Sequence, residues 1–239
     1  DDKPAQPTPP APLACLARHY AITPAFEEGR WLARLPDGKT IPWDDGRAKT
    51  FDEKLEAPDV EDAFSIRYRG GKIRPVDEAN DDPGRVRLDA VFRATYPTNA
   101  KDMTTVELFG KKLRVHKKVA LRFEAVRVRL VRALAADPSL QPFLVGVGGT
   151  FVKRNIAGTD RPSSHSYGVS LDINSDRSEY WRWQRPPEPI KWRNRVPQAI
   201  VDAFEAEGFI WGGRWYHYDT MHFEYRPELI DPGCYPPAR

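Results

Sequence analysis

The chain reads as an α+β protein: a small antiparallel sheet carrying a candidate metal site, flanked by helices, behind an irregular N-terminal extension. Three observations lead there. Two short stretches, Gly168–Asn174 and Met221–Arg226, alternate strictly between apolar and polar residues. Two others, Val119–Leu134 and Val196–Phe204, repeat apolar residues at helical spacing. Before residue 85 neither period persists. With 239 residues, 40% of them hydrophobic, the chain can bury one large core or two small ones.

The organisation expected along the chain is a proline-rich flexible tether over 1–12, an extension packed on the core over 13–85, and the main domain over 86–239. The opening Asp1-Asp2-Lys3-Pro4 carries no initiator Met, which suits an exported chain with its signal peptide removed. In the extension, apolar anchors such as Trp31, Ile41 and Phe51 are spread thinly, and turns are expected near Gly38 and Gly46. Asp59–Phe64 suggests a short helix. Val86, Leu88, Ala90 and Phe92 alternate as an extended stretch would, with a mixed register. Val106–Val115 predicts a hairpin turning at Gly110. Val119, Phe123, Val126, Leu130 and Leu134 then make one buried helical stripe that Asp137-Pro138 stops. Arg122, Arg129 and Arg132 fall on one side of it, as a solvated face.

The glycine-rich Leu144–Phe151 lacks the Gly-Lys-Ser/Thr ending of a phosphate loop and fits backbone entering a crowded site. The loop Ser178–Trp192 holds three of the seven tryptophans. It either seals a core edge or walls a substrate groove. A second helix over Val196–Phe204 ends at Gly208.

Basic and acidic residues number 37 and 34, a near balance that excludes the strongly basic profile of nucleic-acid binders. No apolar run approaches eighteen residues, so no transmembrane segment is expected. A monomer is expected.

In a strand over Gly168–Asn174, Val169, Leu171 and Ile173 share one face and Ser170, Asp172 and Asn174 the other. In the second stretch His222, Glu224 and Arg226 share the polar face. If the strands are neighbours, Asp172 meets His222, with His165 arriving from the preceding loop. Two histidines and a carboxylate, leaving a fourth position open, form a common catalytic zinc set. The plainer alternative is two solvated polar faces.

The spacing Ser163-x-His165-x-x-Gly168-x-x-x-Asp172 followed by Asp219-x-x-His222-Phe223-Glu224 resembles the VanY-like D-Ala-D-Ala carboxypeptidase and L-Ala-D-Glu endopeptidase family of zinc peptidases. The resemblance extends through Thr150–Thr159 and Gly208–Trp215. It implies a hedgehog/D,D-peptidase-like fold, one zinc on His165, Asp172 and His222, and hydrolysis of peptidoglycan stem peptides in the periplasm or outside the cell through a metal-activated water. It also implies that Asp219 is the catalytic carboxylate where many relatives carry Glu, and that Arg154 assists at the scissile carbonyl or holds a substrate carboxylate. Ser163, Trp211 and Trp215 would contact substrate. Glu224, sharing parity with His222, would support a zinc ligand, while Asp219 needs a bend before Thr220 to face the site. His217 is the rival ligand. An inactive, zinc-bearing wall-binding module is the alternative function, since the related hedgehog signalling fold keeps such a site without catalysis.

Cys15 and Cys234, the two cysteines, are expected to form a disulfide, an even count in an exported chain whose termini lie close together. The alternative is two buried thiols.

Overall fold

The computed structural model describes residues 7–185 and 189–235. It divides into two compact units. One holds the described residues up to Arg67, Gly84–Thr95 and those from Asp231 onward; the other holds Tyr68–Pro83 and Tyr96–Ile230. The units therefore do not follow the expected boundary at 85/86. Residues 1–6 of the expected tether lie outside the described residues, as do Pro186–Glu188 of the tryptophan-bearing loop.

In the first unit, helix α1 (Ala11–His19) begins inside the segment expected to be a tether. Its Pro12 occupies the first turn, where a missing N–H costs nothing. Strands β1 (Thr23–Glu27), β2 (Arg30–Arg34) and β3 (Thr40–Pro42) form an antiparallel sheet in that order, so the extension is not irregular. Glu28 and Gly29 join β1 to β2 with φ of 49° and 78°, the backbone that a two-residue hairpin loop requires. These strands have three to five residues and include Pro24 and Pro42, too short and broken for alternation to show.

Helices α2 (Phe51–Glu56) and α3 (Val60–Ala63) both start with capping boxes, Thr50 with Glu53 and Asp59 with Asp62. Between them the Lys49 ammonium, with its side chain 1% exposed, lies 2.8, 3.1 and 2.7 Å from Asp45, Asp59 and Asp62. Burial disfavours its charge, but the hydrogen bonds and charges of the three carboxylates outweigh that and raise its pKa. Ala90 and Phe92, the end of the stretch read as extended from the alternation of residues 86–92, instead lie in helix α4 (Asp89–Thr95). Val91, Phe92 and Thr95 are buried at helical spacing, and the Thr95 hydroxyl donates to the Val91 carbonyl. The disulfide joins Cys15 to Cys234 across 219 positions.

The second unit opens with strands β4 (Met103–Leu108) and β5 (Lys111–His116), a hairpin turning through Phe109 and Gly110. Helix α5 (Lys117–Ala136) buries Val119, Phe123, Val126 and Leu130 of the stripe read from the sequence, while Leu134 near its end is only partly buried. Its Arg122 and Arg129 both bond Glu207, so two of the three arginines on that side are paired. After helix α6 (Gln141–Leu144) comes strand β6 (Ser170–Asp172). Helix α7 (Gln198–Glu205), strand β7 (Phe209–Trp211), strand β8 (His222–Tyr225) and helix α8 (Pro227–Ile230) complete the unit. The sheet order is β6–β8–β7, all antiparallel.

One face of this sheet is a core. Phe223 stacks on Phe204 of α7 with ring centroids 3.9 Å apart, and Phe209 meets Phe123 of α5 at 4.9 Å. Replacing one such ring by Ala costs about 3–5 kcal/mol. Because successive side chains alternate, burying Leu171, Phe223 and Phe209 on this face sends Ser170, Asp172, His222 and Glu224 to the other. Among the described residues, no helix is long and apolar enough to cross a membrane.

Two outcomes follow for the first unit. Thiol titration in denaturant without reductant finds no free thiol, and reduction lowers stability by up to about 5 kcal/mol, the loop-closure term for so long a loop. Lys49→Met leaves Asp45 and Asp59 without this cation and Asp62 with Lys54 alone, and costs about 3–5 kcal/mol in urea unfolding.

Candidate metal centre

The register of β6 and β8 sets Asp172 directly opposite His222. His165 enters from the turn Ser164–Tyr167, which Gly168 closes with φ of 71°. A side chain at Gly168 would lie 2.8 Å from the His116 peptide nitrogen, so the turn carrying His165 rests directly on the end of β5. The His116 N–H donates to the Gly168 carbonyl there, at 2.9 Å.

Three atoms converge. His165 Nε2 lies 3.0 Å from His222 Nδ1, which lies 3.2 Å from Asp172 Oδ1, and the third edge is 3.3 Å. The outer nitrogens assign the tautomers: His165 Nδ1 donates to the Gly149 carbonyl, and His222 Nε2 donates to Glu224 Oε2 at 3.0 Å. Once the proton held at His222 leaves, both inner nitrogens present lone pairs, and with the carboxylate oxygen three lone pairs face one point. Such a cluster favours a cation at that point. A tetrahedral zinc with bonds of about 2.0–2.1 Å spaces its ligands by roughly 3.3–3.4 Å, so donor types and separations both fit.

The electrostatics agree. Burial opposes a charge on His222, yet its bonds to Asp172 and Glu224 outweigh burial and push its pKa up to about 10. Burial likewise opposes ionisation of Asp172, but hydrogen bonds and charge from His165 and His222 hold its carboxyl far below the usual range. A proton is thus held where a metal would bind.

Behind His222 the supports continue inward. Glu224 Oε1 accepts from Arg226 Nη1 at 2.9 Å, and Arg226 Nε donates to Glu228 Oε1 at 2.6 Å, with all three side chains buried. On the other side, Gly148 pairs with Asp172, bringing the Gly149 carbonyl to His165. Gly149 has φ of 70°, and a Cβ there would stand 3.1 Å from Asp172 Oδ2. The Ser164 hydroxyl also lies 3.4 Å from His222 Nε2.

Asp219 sits just before β8, its carbonyl accepting from the His222 N–H at 3.2 Å. The chain turns at Thr220-Met221, after Asp219 rather than before Thr220. Asp219 Oδ1 is buried and, among the described residues, has no hydrogen-bond partner. Burial pushes the carboxyl up to about 6, with Asp172 adding to the rise, against the pull of His222, the Met221 N–H and Arg154. Arg154 is exposed, and its carbonyl accepts from the buried Ser163 N–H at 2.9 Å.

The tryptophans divide. Trp211 is fully buried, its Nε1 donating to the Thr220 carbonyl and its ring stacked on Phe223, so its side chain packs the core and has no exposed face for substrate. Trp215 packs against the His222 ring at 5.7 Å and donates to the Pro83 carbonyl. His217, the rival ligand, is instead bonded to the buried Asp82 through Nδ1 at 2.6 Å. Gly149, Ser164 and Glu228 were not singled out as site residues from sequence, whereas Arg226 was legible as a partner of Glu224 on the same strand face. Arg226 and Glu228 carried a signal in their two-residue spacing from Glu224, but a carbonyl donor such as Gly149 carries none.

The α+β fold thus brings two buried histidines and the partly exposed Asp172 together, with one oxygen of Asp219 lacking a hydrogen-bond partner among the described residues. Residues 157–225 match the family described as D-alanyl-D-alanine carboxypeptidase, which supports a VanY-like peptidase over that stretch. The stretch contains His165, Asp172, Asp219, His222 and Glu224, but not Arg154. No curated protein matches the chain.

Metal uptake at neutral pH should release about one proton, the one held at His222; calorimetry in buffers of different ionisation enthalpy measures it. Elemental analysis should find the metal lost from His165→Ala, Asp172→Ala and His222→Ala and kept in His217→Ala.

Proposed function

We propose that the protein is an exported zinc peptidase that hydrolyses peptidoglycan stem peptides, as a D,D-carboxypeptidase or an L-Ala-D-Glu-type endopeptidase on a hedgehog/D,D-peptidase-like fold. The observation that carries this is the Asp219 Oδ1 atom, buried and without a hydrogen-bond partner among the described residues, together with three converging donor atoms, all within the segment that matches the carboxypeptidase family. The disulfide suits an oxidising compartment.

One zinc held by His165, Asp172 and His222 supplies a Lewis acid that polarises a carbonyl and acidifies water. Asp219, ionised at neutral pH, takes a proton from the attacking water at Oδ1 and returns it to the leaving amine. Its desolvation makes it a stronger base than an exposed aspartate. Arg154, whose charge reaches Asp219, offers a guanidinium to the developing oxyanion or to a substrate carboxylate. Ser163, at the head of the turn carrying His165, and Trp215, packed on His222, border the same place. Glu224 fixes the His222 tautomer, and Arg226, itself held by Glu228, keeps Glu224 in place.

Digestion of stem pentapeptides by the zinc-loaded protein, read by mass spectrometry, tests the reading. Loss of the terminal D-Ala marks the carboxypeptidase and cleavage after L-Ala the endopeptidase, whereas intact peptides that nevertheless bind would mark the inactive module. Asp219→Ala should keep zinc and fold and lose turnover by about 100-fold or more, together with the acid limb of the pH profile. Glu224→Gln should chiefly weaken zinc affinity, by about 10–100-fold.

A further inference from the structure

A second group of ligating side chains lies in the first unit, around the disulfide. Cys15, His19, Asp231 and Cys234 each offer one donor atom, all within 4.8 Å of one another. His19 Nε2 lies 3.3 Å and Cys15 Sγ 3.8 Å from Asp231 Oδ2. Both cysteines are fully buried, while His19 and Asp231 have side chains 24% and 30% exposed. The sulfurs are thus shielded from water and the other two donors face it, giving an ion a way in.

We propose that, once the Cys15–Cys234 disulfide is reduced, Cys15, His19, Asp231 and Cys234 form a second metal site, selective for a thiolate-binding divalent ion such as zinc. Two thiolates, an imidazole and a carboxylate complete a closed tetrahedral set with no position for water, the pattern of a structural site. The chemistry balances: a dithiol reductant delivers two electrons and two protons to the S–S bond and is itself oxidised to a disulfide. The ion then displaces both thiol protons. Two thiolates and the Asp231 carboxylate exceed the ion's charge by one, and Arg18, 3.1 Å from Asp231 Oδ2, offsets it. The cysteines have Cα atoms 5.0 Å apart, so the sulfurs can separate to ligand spacing by side-chain rotation alone. The same four residues would tie α1 to the C-terminal turn in either redox state, by a covalent bond where conditions oxidise and by an ion where they reduce.

Cobalt(II) titration of the full chain, read by absorption, is the test. The oxidised chain should take one ion, at His165, Asp172 and His222, with no thiolate charge-transfer band. The reduced chain should take two and show the band. Cys234→Ser should lose the band and the extra ion, and His19→Ala, with its half-buried side chain, should weaken the extra ion on the order of tenfold or more. If reduction unfolds the chain, cobalt should restore its circular dichroism. A reduced chain without the band, a band unchanged in His19→Ala, or an unfolded chain that cobalt does not rescue overturns the proposal. Failure of the other metal site reads differently, as no ion in the oxidised chain and one in the reduced.

Discussion

The second unit depends on one cross-strand pair, Asp172 opposite His222. Each is costly to bury alone: a carboxylate and an imidazolium lose solvation worth several kcal/mol apiece. Together they satisfy each other, but the geometry that brings His165 as well leaves more lone pairs than protons. The surroundings are arranged to sustain that imbalance. Gly149 takes the proton of one ring and Glu224 that of the other, so both rings are held by their outer edges and point inward.

The same pairing fixes the core. A one-residue slip of β8 against β6 would turn His222 and Glu224 toward Phe204 and send Phe223 to the polar side. Register is thus enforced twice, by the stacked rings on one face and by the ion pairs on the other. The Glu224–Arg226–Glu228 series shows how far the polar side extends, with charged groups buried yet each bonded to the next.

What the sequence made legible was whatever repeats. The helical stripe of α5, the β4–β5 hairpin and the parity that opposes Asp172 to His222 all follow from regular spacing. Residues 86–92 misled because Leu88, Val91 and Phe92 satisfy a helical period while Val86, Leu88, Ala90 and Phe92 satisfy alternation. The β1–β3 sheet escaped because its strands are too short for any period. Trp211 looked like a contact residue from its place in a motif, whereas only packing reveals that it lies beneath the site. Donors supplied by backbone, such as the Gly149 carbonyl, have no residue signature at all.

His165 and His222 stand 57 positions apart and meet only when β6 and β8 have zipped together. Pairing strands so distant in sequence is slow, since a long loop must close before any contact rewards it. The cluster therefore cannot assemble on a nascent or partly folded chain. An ion captured there marks the end of folding in this unit, and any chemistry that needs it stays silent until the chain has reached its final form.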